Sequence, residues 1–140
     1  MLKQNKEAIK HFENRSDKWD EIYKNIKYND PLIDRRITVF ESIKNLDINT
    51  PLDLAVDLGC GTGPYLNGLL KTANKVMGLD SSASMIERAK YNNKDNLDKI
   101  DFIIGTVKEL PFPDSHVDLF IGTGLLEYFS NPIEIMSEIY

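Results

Sequence analysis

The chain has 140 residues, with seventeen lysines and arginines against twenty-two aspartates and glutamates and a formal net charge of -5. That balance leaves no overall positive field to gather phosphates, which argues against a nucleic-acid-binding module. One cysteine, Cys60, and two histidines provide neither an internal disulfide nor a zinc-ligand spacing, and no apolar run approaches the roughly 20 residues that span a bilayer.

The first residues, Met1 to Glu7, have no apolar stretch behind them and do not read as a secretory signal, so a cytoplasmic, metal-free protein is expected. Residues 1–29 are polar with scattered aromatics. Between Ser16 and Tyr23 the apolar positions Trp19, Ile22 and Tyr23 recur at helical spacing, which predicts a short amphipathic arm packed by its aromatics or, alternatively, covering a ligand. Asp30 can cap a second helix, with Pro31 where a missing N–H costs nothing. Ile33, Ile37, Phe40 and Ile43 form its apolar stripe up to about Leu46. Asn49-Thr50-Pro51 then reads as a loop. Residues 1–50 are therefore expected to form a helical arm and a first sheet-packing helix, and residues 51–140 the rest of one structural domain.

From Leu52 the period changes. Leu54–Leu58, Lys75–Asp80, Asp101–Gly105 and Val117–Ile121 are short, nearly continuous apolar runs, as expected of strands buried on both faces of a parallel sheet. Helices are predicted between them, from Pro64 to about Thr72 and from Ser82 to about Tyr91, with Asn92 to Asn96 a surface turn by composition. The alternating order predicts an α/β fold, a Rossmann-like doubly wound parallel sheet with strand order 3-2-1-4. A last helix should start at Asn131-Pro132-Ile133-Glu134.

Chemistry concentrates in Asp57-Leu58-Gly59-Cys60-Gly61-Thr62-Gly63. Glycines in a strand-to-helix turn let a ligand approach the backbone. Their spacing is neither G-x-G-x-x-G nor a phosphate-binding P-loop, which disfavours a dinucleotide. Asp57, two residues before the first glycine, would put negative charge where a pyrophosphate otherwise lies, and so favours a cationic ligand. Asp80 ends the second strand, twenty-one residues after Gly59, where a carboxylate can accept from both hydroxyls of a ribose; an isolated aspartate there would read as a helix cap or an exposed loop carboxylate, but beside the glycine loop the ribose reading takes over. Cys60 reads as packing rather than as a nucleophile, and His116 as a solvated loop residue.

These motifs, followed by Gly78-Leu79-Asp80-Ser81-Ser82, Glu109-Leu110-Pro111-Phe112-Pro113-Asp114 and Leu126-Glu127-Tyr128, resemble the ordered set of class I S-adenosylmethionine-dependent methyltransferases over about residues 52–140. Trp19-Asp20-Glu21-Ile22-Tyr23 is similar to the first segment of small-molecule members. The resemblance implies S-adenosyl-L-methionine as cofactor. Asp57, Gly59, Cys60, Gly61 and Gly63 would face its methionine part, Asp80 its ribose, and Ser81 and Met85 its adenine. Thr106 and Val107 would read the adenine edge, with Thr106 standing where the family usually has aspartate. Thr123 and Gly124 would offer carbonyls to the ammonium, and Tyr128 replaces the family's usual histidine. Tyr23 and Arg36 are further candidates for cofactor or substrate contact.

The resemblance implies methyl transfer to a small-molecule acceptor, with no nucleic-acid or membrane partner. No residue is marked as a catalytic base. A non-catalytic module binding the cofactor or its demethylated product, and an NAD-dependent oxidoreductase, are the alternatives. The resemblance also implies more strands than these four. The chain is therefore expected to be truncated after the fourth strand, whose open edge a partner or a second copy would cover.

Overall fold

The computed structural model describes residues 31–46 and 48–140, together with Ile9, Lys10, Glu13, Lys18, Glu21 and Asn25. Trp19, Ile22, Tyr23 and the Asp30 cap lie outside the described residues, as does the Ile33 side chain.

The elements run α1 (Pro31–Lys44), β1 (Leu52–Leu58), α2 (Leu66–Leu69), β2 (Ala73–Asp80), α3 (Ala83–Asn92), β3 (Ile100–Ile104), β4 (Leu119–Ile121) and α4 (Pro132–Ile139). Single 3-10 turns stand at Lys94–Asn96 and Leu126–Tyr128. All strands are parallel, in the order β3-β2-β1-β4. Leu54 pairs with Lys75, Ala55 with Leu119, and Val76 with Ile100. This is the Rossmann-like arrangement anticipated from the apolar runs.

Strand alternation sends successive side chains to opposite faces. Ala55 and Val76 join Ile43, Leu66, Leu69 and Ile86 on the face covered by α1, α2 and α3. Val56, Leu58 and Leu79 join Val107 and Ile135 on the face covered by α4 and the segment before β4. Helices on both faces explain why the strand sequences are apolar without alternation.

Several elements differ from expectation. The helix after the glycine loop is a single turn, not the eight or nine residues its leucines allow. Its end is drawn tight: Lys71 N–H donates to Gly68 O (3.2 Å), Thr72 N–H to Leu69 O (2.9 Å), and the Thr72 hydroxyl also to Leu69 O (2.9 Å). Three-residue spacing closes the helix early and lets β2 begin at Ala73. In α1, Ile43 is buried but Ile37 is 56% exposed, so the stripe is narrower than predicted; Val39 packs on the core instead. Phe40 fits over Gly68, where an added Cβ would meet its ring at 2.5 Å.

Ser82 caps α3 through its hydroxyl, which accepts from Met85 N–H (3.3 Å). At the other end the predicted surface turn is only partly one: Asn93 is 2% exposed. Asn131 precedes α4 with Pro132 in its first turn, as its sequence predicts. β4 pairs only with β1 among the described residues, so its outer edge is open there, as expected.

Candidate active site

β1 lies between β2 and β4, so the chain reverses direction across the sheet at the carboxyl end of β1, where open α/β sheets place their ligands. A cavity of about 410 Å³ lies there. All four strands supply its wall from their carboxyl ends: Gly59 to Thr62, Pro64 and Tyr65 after β1; Leu79 to Ser81, and Met85, after β2; Gly105 to Val107 after β3; and Thr123 to Leu125 and Glu127 to Phe129 after β4. Ile9 and Arg35 enter from the N-terminal side. The Ser84 hydroxyl donates to the carbonyl of Glu13 (3.1 Å), fixing that part of the arm beside the start of α3.

The glycine loop is held from two sides. Toward β2, Gly59 and Cys60 N–H donate to Leu79 O (2.8 and 3.0 Å), and Gly61 N–H donates to Asp80 Oδ2 (2.9 Å). Toward α3, Asn92 Nδ2 donates to Thr62 O (3.0 Å) and Asn93 Nδ2 to Gly63 O (3.1 Å). Gly61 has φ +53, and a Cβ there would meet no atom within 4 Å. Its bare backbone therefore forms part of the cavity wall, which a side chain would narrow.

Asp80 is half-buried at the wall, and its other oxygen accepts from Ser82 N–H (2.9 Å). Desolvation raises its pKa, opposed by hydrogen bonds from the Ser82, Gly61 and Ser81 backbone. The carboxylate thus both closes the turn into α3 and braces the glycine loop. Each oxygen keeps lone-pair capacity toward the cavity.

Asp57 corrects the sequence reading. It is 1% exposed, both carboxylate oxygens lack a hydrogen-bond partner among the described residues, and it is not part of the cavity wall. By strand alternation it shares the face of Ala55, beneath the loop. Burial first, and Asp80 second, push its pKa up to about 8. Cys60 lines the wall but is 4% exposed; burial, then Asp57 and Asp80, push its thiol well above its ordinary value. The thiol packs against Gly78, where an added Cβ would lie 2.9 Å from Sγ.

Of the other predicted residues, Ser81, Met85, Thr106, Val107, Thr123, Gly124 and Tyr128 all reach the cavity. The Thr106 hydroxyl accepts from Lys108 N–H (3.2 Å), and Tyr128 is 43% exposed. Gly63 does not reach the cavity: at φ +73 it faces α3, where a Cβ would stand 2.7 Å from Asn93 Nδ2. Arg36 does not line the cavity, but its neighbour does. Arg35 walls the cavity, with Nη1 2.7 Å from the position of a Cβ on Gly124 and Glu127 Oε1 3.4 Å from the same point. Helical phase, unreadable from composition, decides between adjacent arginines. Tyr23 lies outside the described residues, and His116 is exposed in its loop, apart from the cavity.

The methyltransferase-domain family matches residues 56–140, and the chain belongs to that family. The chloroplastic 2-methyl-6-phytyl-1,4-hydroquinone methyltransferase of Arabidopsis thaliana is 31% identical over 102 residues, covering 71% of this chain and 30% of that protein. A Methanococcus maripaludis protein proposed to be an S-adenosyl-L-methionine-dependent methyltransferase superposes with TM-score 0.75 at 25% identity, over 91% of this chain and 57% of that one. Magnesium protoporphyrin IX methyltransferase from Synechocystis, solved with bound S-adenosylmethionine, shares the fold with TM-score 0.67 at 22% identity, over 88% and 63% of the two chains. The chain thus spans about a third of the plant enzyme and roughly three-fifths of the solved ones. No helix among the described residues is long and apolar enough to cross a membrane.

Proposed function

We propose that the cavity binds S-adenosylmethionine and that the working protein transfers its methyl group to a small-molecule acceptor. The observation that carries this reading is the convergence of the glycine loop, Asp80 and the loops after β3 and β4 on one cavity at the sheet's switch point. When bound, the cofactor supplies an electrophilic methyl group on a sulfonium. The chain's own residues align and enclose it, which is most of what such a transfer requires.

Asp80 accepts from the ribose hydroxyls with the capacity left by Gly61 and Ser82 N–H. Ser81 and Met85 flank the adenine, and Val107 N–H reads its edge; Thr106 offers a hydroxyl there in place of a carboxylate. The Thr123 and Gly124 carbonyls receive the ammonium, and Arg35, at Gly124, receives the methionine carboxylate. Asp57 acts from below the loop rather than as a direct contact. Tyr128 and Glu127, on the wall near Arg35, lie toward the acceptor.

The named relatives act on acceptors as unlike as a hydroquinone and a metalloporphyrin, so the reading stops at a small molecule. A cytoplasmic location goes with it. The open edge of β4 and the exposed Ile133 and Met136 of α4 call for cover in the working protein, from further chain or from a partner subunit.

Replacing Asp80 tests the cofactor assignment. Asp80→Ala should weaken S-adenosylhomocysteine binding by about 1–3 kcal/mol in calorimetry through lost charge-assisted hydrogen bonds. Unchanged affinity in a folded variant would refute the ribose contact. Incubation with S-adenosylmethionine and a panel of acceptors then separates an enzyme from a binding module, which would form no S-adenosylhomocysteine.

A further inference from the structure

The two asparagines after Tyr91 read as turn residues in the sequence, yet Asn93 is almost fully buried. Both hydrogens of its side-chain amide are used: Nδ2 donates to Gly63 O (3.1 Å) and to Ala89 O (2.8 Å). The first bond leaves α3 for the glycine loop; the second anchors the amide to the last turn of α3, at a carbonyl that also accepts the Asn93 backbone N–H. The backbone of Asn93 is fixed as well, its N–H donating to Ala89 O (3.1 Å) and its carbonyl accepting from Asn96 N–H (3.0 Å). Asn92 Nδ2 holds the preceding loop carbonyl, Thr62 O, at 3.0 Å.

Two consecutive loop carbonyls are therefore turned toward α3 by two consecutive amides. A peptide plane that points its carbonyl one way points the following N–H the other. With Thr62 O on Asn92, Gly63 N–H donates to Cys60 O (2.9 Å) and closes the turn whose middle residues, Gly61 and Thr62, form cavity wall. Gly63 itself must lack a side chain for Asn93 to reach it.

We infer that Asn93, assisted by Asn92, is a positioning residue for the cofactor: it holds the glycine loop from the α3 side in the shape that receives the amino-acid portion of S-adenosylmethionine. It does so through Thr62, Gly63 and the turn they close, without touching the cavity. This rests on the cofactor reading above. It goes further in assigning the shape of the methionine subsite to residues more than ten positions beyond Asp80 in the chain.

The test compares two ligands on the 140-residue chain. S-Adenosylhomocysteine carries the amino-acid portion; methylthioadenosine lacks it and leans on Asp80 and Val107. In Asn93→Ala, binding of S-adenosylhomocysteine should fall about tenfold, the scale of one lost buried hydrogen bond to the loop. Methylthioadenosine should change less than about twofold, because the residues it uses remain in place. Hydrogen exchange at Gly63 N–H should quicken in the same variant. Asn92→Ala, at an exposed position, should show the same selective loss at about threefold and serves if Asn93→Ala does not fold. Equal loss of both ligands, or unchanged S-adenosylhomocysteine binding in a folded variant, would overturn the positioning role while the cofactor reading stands. A wild-type chain that binds neither ligand would overturn both.

Discussion

Asp57→Asn is the most informative single change, because the aspartate is buried with no hydrogen-bond partner among the described residues and the structure sets the sign of its effect. The native carboxyl titrates at about 8 against an ordinary value of 3.8. Between those values the native chain holds a proton that the unfolded chain has released, so stability is full below about pH 4 and is lost as pH rises toward 8. Each pH unit inside the window is worth at most about 1.4 kcal/mol, so from pH 5 to 7 the wild type should lose on the order of 2–3 kcal/mol through this group. Asparagine keeps the shape and removes the titration. Urea unfolding of both proteins at pH 5, 6, 7 and 8 gives a difference curve in which the raised pKa of Asp80 largely cancels. The wild type should fall relative to Asp57→Asn across the series. A flat difference, or one that rises with pH, would refute the claim that the buried carboxyl is neutral in the native chain.

Gly78→Ala places a Cβ 2.9 Å from Cys60 Sγ and 3.2 Å from Leu66 Cδ1, both buried, so thermal or urea unfolding should show a loss of about 1–3 kcal/mol; wild-type stability would contradict the packing described. Arg35→Ala should weaken S-adenosylhomocysteine about tenfold and leave methylthioadenosine unchanged, a loss typical of a charge-assisted pair; the same change in Arg36 should affect neither. Equal effects at the two arginines would overturn the assignment of the carboxylate contact to Arg35.

The sheet was legible because its strands are buried on both faces. Leu54–Leu58 and Lys75–Asp80 read as continuous apolar runs for that reason, and the glycines and Asp80 fall at their ends, where a ligand must lie. The first stretch also misled. Asp57 is close to the glycines in sequence, but a strand's alternation carries its side chain under the loop instead of into the cavity. The resemblance groups Gly63 with the binding glycines, whereas its lack of a side chain serves contact with Asn93. Asn92 and Asn93 have turn-like composition, and only the approach of α3 to the loop gives their amides carbonyls to hold. Leucine periodicity allows a longer helix than α2 because it carries no information about the Thr72 hydroxyl bonded to Leu69 O at its end. Arg35 required the rotation of α1 against Gly124, a relation between segments almost ninety residues apart.

The central claim is that this cavity is built for S-adenosylmethionine rather than for a dinucleotide. Calorimetric titration of the chain with S-adenosylmethionine and, separately, with NAD tests it most directly. Saturable one-to-one binding of S-adenosylmethionine is expected with a Kd below about 1 mM, or tighter than about -4 kcal/mol, and no binding of NAD in that range. Tight NAD binding without S-adenosylmethionine binding would contradict it.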